Sequence, residues 1–109
     1  MREPYTVRED LARFAEIGEE RGELFEAYQA WSEKVFQEGA LTSKTKHLIA
    51  MAVAHALQCS YCIDAHTSAS ASAGANLEEI TEAIHVAAVI RGGASLVHGV
   101  QALDTFHRG

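Results

Sequence analysis

The chain has 109 residues, a hydrophobic share of 48% and a formal net charge of −6. That length fits a single domain spanning residues 1–109, with enough apolar material for a core without several disulfides. The acidic balance argues against a nucleic-acid partner, because phosphate binding needs clustered Lys and Arg, and no such cluster is present. Pro4 is the only proline, alanine is abundant and β-branched runs are scarce, so the expected class is all-α. The apolar stretch Leu48 to Leu57 is interrupted by His55 and is too short to span a bilayer, and Met1-Arg2-Glu3-Pro4-Tyr5 lacks the apolar core of a signal peptide. A cytoplasmic protein with no membrane partner is the expectation.

Periodicity predicts six helices. The first covers about Arg8 to Ile17, with Leu11, Phe14 and Ile17 at three-residue spacing, and ends near Gly18. The second covers about Gly22 to Gln37. Its stripe of Leu24, Phe25, Tyr28, Trp31, Val35 and Phe36 reads as core or subunit interface, and Gly39 closes it. Thr42 or Ser43 caps a third helix that runs to about Leu57. This helix is apolar nearly all round, so it should be buried on most sides, one of them by a neighbouring subunit. A break between Gln58 and Ser60 precedes a fourth helix, about Ser60 to Ala73, which Gly74 terminates. Asn76 and Glu79 have the spacing of a capping box for a fifth helix, about Leu77 to Arg91. Gly92-Gly93 should then break the chain before a last helix, about Ala94 to Phe106.

The chemistry centres on Cys59-Ser-Tyr-Cys62, which holds the only two cysteines of the chain. A Cys-x-x-Cys pair can close into a disulfide and reopen, and in a reducing cytosol such a pair is more often catalytic or metal-binding than structural. If the chain breaks near Gln58, both cysteines fall in the first turn of a helix. Free N–H groups and the positive end of the helix dipole there stabilise a thiolate. His66 follows Cys62 by four residues, on the same face, and His55 precedes Cys59 by four. Either can exchange a proton with a thiol near neutral pH. His47 lies farther upstream. His85, His98 and His107 read as structural or solvent-facing. Zinc is the rival use of Cys59, Cys62, His55 and His66. On one continuous helix, though, His55 and His66 would be about 16 Å apart, too far for one ion. No phosphate-binding glycine loop is present, and Ser68, Ser70 and Ser72 have neither base nor oxyanion device beside them.

The stretch LTSKTKHLIAMAVAHALQCSYCIDAH, Leu41 to His66, resembles the core of the AhpD-like, carboxymuconolactone decarboxylase superfamily. LEEITEAIHVAAVIRGGASLVHG, Leu77 to Gly99, resembles the helices that follow it. KTKHLIA and RGGASLVHG are also similar to a subgroup associated with arsenosugar biosynthesis. The resemblance implies an all-α, AhpD-like fold of about six helices that is an obligate homo-oligomer, trimer or hexamer. It also implies thiol-dependent peroxidase or dithiol–disulfide oxidoreductase activity, with a peroxide or disulfide substrate, a thiol or lipoyl-type electron donor and no bound cofactor or metal. In such proteins the second cysteine attacks and the first resolves, which would give attack to Cys62, resolution to Cys59 and proton relay to His66. The family's relay glutamate, twelve residues before the first cysteine, is His47 here. His47 would stand in as base, with His55 supplementing it. True carboxymuconolactone decarboxylases generally lack the dithiol. The expected function is therefore a thiol peroxidase or disulfide oxidoreductase, the alternatives being an oligomeric Cys/His metal-binding module or a decarboxylase using histidine acid–base chemistry.

Overall fold

The computed structural model describes residues 4–109, so the expectation drawn from Met1 to Glu3 lies outside the described residues. Among the described residues there are five α-helices and one short 3₁₀ helix, and no strand. They are α1 (Pro4–Ala12), the 3₁₀ helix Phe14–Gly18, α2 (Gly22–Val35), α3 (Ser43–Leu57), α4 (Ser60–Ser72) and α5 (Leu77–Arg108).

Local chemistry sets most of the boundaries. The Thr42 hydroxyl accepts the Thr45 N–H at 3.1 Å and starts α3. At the other end Gln58 adopts a left-handed conformation, φ 58°. The Gln58 N–H then donates to the His55 carbonyl at 3.1 Å and the Cys59 N–H to the Ala54 carbonyl at 2.9 Å. These are the paired bonds of a Schellman turn, and they end α3 at Leu57, two residues before Cys59. Asn76 and Glu79 form a complete capping box at the start of α5, with bonds of 2.8 and 2.9 Å. Gly74, at φ 102°, lets the chain turn after α4.

Three expected boundaries differ. The first helix does not run from Arg8 to Ile17: α1 begins earlier and stops at Ala12. The Arg13 N–H donates to Asp10 three residues back, and an Arg13–Glu16 ion pair at 2.9 Å spans the tighter turn that follows. Helix α2 ends at Val35 rather than Gln37, and Phe36 leaves the helix at φ −90°, ψ 0°. The largest difference is at Gly92-Gly93. No break occurs, and the expected fifth and sixth helices are one helix of 32 residues, so six expected helices become five and a 3₁₀ turn. Two helical glycines cost about 1 kcal/mol each, which a run of good helix formers on both sides offsets. The Arg91 guanidinium adds an anchor by donating to the Ala56 carbonyl at the end of α3.

Helix α3 is the hub, with α4 on one side and α5 on the other, while α1 lies across α4. Met51 and Ala54 of α3 are buried, together with Ser70 of α4 and Ala87 of α5. Ser70 keeps its hydroxyl satisfied by donating to the Thr67 carbonyl at 2.9 Å. Much apolar surface is left open: on α3 the single stripe of Ile49, Val53 and Leu57 is exposed. So are Leu24, Tyr28, Trp31 and Val35, one stripe of α2, and Val86, Val89, Ile90, Leu96, Val97, Val100 and Leu103 of α5. The radius of gyration is 18.1 Å, against about 13 Å for a compact chain of this length. Among the described residues α5 is the one helix long and apolar enough, by length and composition, to cross a membrane.

Candidate functional site

The Schellman turn at Gln58 makes Cys59 the N-cap of α4, with extended backbone at φ −97°, ψ 99°. Its Sγ accepts the Cys62 N–H at 3.3 Å, and the two sulfurs lie 2.7 Å apart. The cysteines therefore meet at a helix N-terminus, as the predicted break requires. Both are free thiols and both are half-buried.

Their electrostatics diverge. The hydrogen bond from Cys62, then its backbone N–H and that of Tyr61, hold the Cys59 thiol below its ordinary value against the opposing effect of burial. Burial pushes Cys62 up to about 11, and the hydrogen bond and charge of Cys59 add to the rise. The pair is therefore asymmetric: Cys59 ionises more readily than an ordinary thiol and Cys62 less readily.

Both cysteines open onto a cleft of about 610 Å³. Leu11, Phe14, Ile17, Tyr28 and Ala65 supply apolar walls, and His66 lies in the wall as well. Helix α1 and the 3₁₀ helix cover one side. Tyr61, between the two cysteines, donates its phenol O–H to Asp10 at 2.8 Å, and Arg8 pairs with Asp64 at 3.4 Å. Neither Asp10 nor the 3₁₀ helix stood out in the sequence, because their place in the cleft depends on how α1 lies across α4.

His66 is not alone. Its Nδ1 stands 3.1 Å from Nδ1 of His47, which reaches it from α3. Phe36 covers both imidazoles, its ring 4.4 Å and 8° from His47 and 5.0 Å and 22° from His66. Burial lowers the pKa of both histidines, and in His66 the proximity of His47 lowers it further. His47 is not among the residues lining the cleft, so it backs His66 from behind. Phe36 was missed as a site residue. Its sequence signal, the end of an aromatic stripe, is the same as that of any core residue.

His55 is placed elsewhere. Its Nδ1–H donates to the Met51 carbonyl at 2.8 Å, one turn back in α3, and it does not line the cleft. His98 makes the same kind of bond to Ala94 at 2.9 Å, and His107 packs edge-on against Phe106. The four-ligand set of Cys59, Cys62, His55 and His66 is not assembled: among the described residues no three His, Cys, Asp or Glu side chains gather closely enough to hold a metal ion.

The chain is thus an all-helical protein with a dithiol capping a helix and a histidine in the same cleft. Residues 22–105 match the carboxymuconolactone decarboxylase family, and the chain belongs to that family. It is 44% identical over 92 residues to uncharacterised protein 4 in the cox locus of Paracoccus denitrificans, covering 84% of this chain and 83% of that protein. An uncharacterised protein of Cupriavidus necator is 28% identical over 94 residues, covering 86% of this chain and 83% of its own length. Among solved structures, the apo form of a carboxymuconolactone decarboxylase family protein from Legionella pneumophila matches with a TM-score of 0.75 at 33% identity, over 96% of this chain and 95% of that one. A crystal structure of a Methanobacterium thermoautotrophicum protein matches with a TM-score of 0.74 at 34% identity, over 79% of this chain and 97% of that one.

Proposed function

We propose that the protein is a thiol-dependent peroxidase or dithiol–disulfide oxidoreductase of the carboxymuconolactone decarboxylase family. The observation that carries this reading is the Cys59–Cys62 pair, 2.7 Å apart at the start of α4 and open to an apolar cleft that also contains His66. A thiolate attacks the peroxide oxygen, the O–O bond breaks, and the leaving oxygen takes a proton to depart as an alcohol. The resulting sulfenic acid condenses with the second thiol, forming the disulfide and releasing water. A thiol or lipoyl-type donor returns two electrons by exchange with that disulfide.

The family resemblance gives the attack to Cys62 and resolution to Cys59. Of the two, Cys59 is the one that ionises more readily. Attack by Cys62 therefore needs its proton to move first, either across to Cys59 or to His66 in the adjoining turn. Attack by Cys59 draws on the thiol that gives up its proton more readily and leaves His66 to deprotonate Cys62 for the resolving step. The test is to count free thiols and measure intact mass before and after one equivalent of an organic hydroperoxide. Loss of both thiols with the mass of two hydrogens supports the proposal, and retention of both overturns it. Under the same treatment, the single serine variants identify the attacking cysteine as the one whose partner's removal leaves a trapped sulfenate.

A decarboxylase-type reaction is the second reading, favoured by the neutral histidine pair, which suits acid–base work. Substrate turnover that survives Cys62→Ser would select it. In either case we propose a homo-oligomer, trimer or hexamer, in the cytoplasm. The open apolar stripes of α2 and α5 are too large for a lone soluble chain. Subunit contact accounts for both helices, whereas a membrane would cover α5 alone and would have to accommodate Arg91 midway along it.

A further inference from the structure

We infer that Phe36 is a positioning residue, whose ring covers His47 and His66 and holds them Nδ1 to Nδ1 as one proton-conducting pair beside the dithiol cleft. The inference rests on the dithiol reading above and adds a residue to it.

Three rings from three parts of the chain meet here. Phe36 comes from the loop after α2, His47 from α3 and His66 from α4. Phe36 lies nearly parallel to His47, and the two imidazoles are 28° from parallel with centroids 5.3 Å apart. The loop is held where it must be for this. The Phe36 N–H donates to the Ser32 carbonyl at 3.2 Å, and the Lys46 ammonium donates to the Gln37 carbonyl at 2.7 Å. The two residues in that last contact are the chain neighbours of His47 and of Phe36, so the loop and α3 are fastened together next to the stack.

The consequence lies in the protons. Two neutral imidazoles that share an Nδ1···Nδ1 contact of 3.1 Å can have only one hydrogen between those atoms. One ring must be the Nδ1–H tautomer and the other the Nε2–H tautomer. With His66 as the Nδ1–H donor, its Nε2 is the nitrogen left to take a proton from a thiol. Nδ1–H of His66 then passes to Nδ1 of His47, and Nε2–H of His47 leaves on the far side. The two tautomers are now exchanged. A proton flowing back to the leaving oxygen of the peroxide restores them, so charge and protons balance over a cycle. Without the Phe36 ring, each half-buried imidazole is free to rotate and take water at Nδ1, and the chain of transfers is cut.

The experiment reads tautomers directly. Long-range ¹H–¹⁵N correlation spectra of the reduced, full-length protein, with His47 and His66 assigned from single variants, should show one Nδ1–H and one Nε2–H ring. Phe36→Leu keeps apolar bulk but removes the stack. It should lose this complementary pattern and slow thiol loss to an organic hydroperoxide by at least about tenfold, at the modest end of acid–base contributions. Phe36→Tyr should preserve both. Lys46→Met, which frees the loop without touching the stack, should lose the pattern as Phe36→Leu does. Complementary tautomers persisting in both Phe36→Leu and Lys46→Met would overturn the inference, as would equal loss in Phe36→Tyr and Phe36→Leu. A wild-type protein that consumes no hydroperoxide yet shows the paired tautomers, lost on Phe36→Leu, overturns the peroxidase reading and leaves the role of Phe36 standing.

Discussion

His47 and His66, 19 residues apart in sequence, stand Nδ1 to Nδ1 at 3.1 Å. Where relatives are expected to carry a relay glutamate, a second imidazole meets the first. His66→Ala should slow hydroperoxide-driven thiol loss by about 10²-fold, because general acid–base assistance is lost while the dithiol remains. His47→Glu should place a carboxylate beside His66 and raise the His66 pKa, seen as a shift of its ring signals to higher pH in an NMR titration.

The same pair makes stability depend on pH. Both histidines have folded pKa values below the ordinary value of about 6.5. Between the folded and unfolded values the unfolded chain binds more protons, so stability rises with pH there. The penalty is absent above about pH 6.5 and grows as pH falls from there toward the folded values. Denaturant midpoints from pH 8 to pH 5 at fixed protein concentration should therefore fall on the acid side, and the His47→Ala, His66→Ala double variant should show a smaller fall.

Thiolate absorbance should rise in two well-separated steps, one below the ordinary thiol range and one near the value of about 11 found for Cys62. Cys59→Ser should bring Cys62 down but leave it above the ordinary value, because burial is the larger cause of its shift. Cys62→Ala should move Cys59 up, since its largest support, the bond from the Cys62 side chain, is gone.

Gln58 pays for the turn that creates the cap at Cys59. A non-glycine residue at φ 58° costs about 1–2 kcal/mol, part of which glycine returns to the unfolded state. Gln58→Gly should stabilise the protein by about 0.5–1 kcal/mol in chemical denaturation. Gln58→Pro, which can neither adopt that φ nor donate to His55, should destabilise strongly and abolish the low Cys59 pKa.

Trp31, 68% exposed on the apolar stripe of α2, should lie in a subunit contact. Multi-angle light scattering should give a trimer or hexamer for the wild type and a lower mass for Trp31→Asp. A stable wild-type monomer at micromolar concentration would contradict the proposed assembly.

The features legible in the sequence are those set by neighbours within a few residues. Thr42 as a cap, Asn76 with Glu79 as a capping box, the break at Gln58 and the placement of both cysteines at a helix start all follow from backbone groups that need partners close by in the chain. The Gly92-Gly93 break failed for a reason of the same kind. Local propensity is worth only about 1 kcal/mol per glycine, and helix continuity together with the Arg91 anchor outweighs it.

By itself the sequence determined an all-helical chain and its main caps, and it put the dithiol at a helix N-terminus only on condition of a break near Gln58, which the structure contains. Tertiary structure decided which histidine shares the cleft with that dithiol. His55 and His66 are equally spaced from the cysteines, yet His55 turns back to the Met51 carbonyl while His66 enters the cleft and meets His47 under Phe36. Spacing along a helix fixes only which face a side chain occupies. What that face meets depends on the packing of α3 against α4 and on where the loop after α2 is tied down.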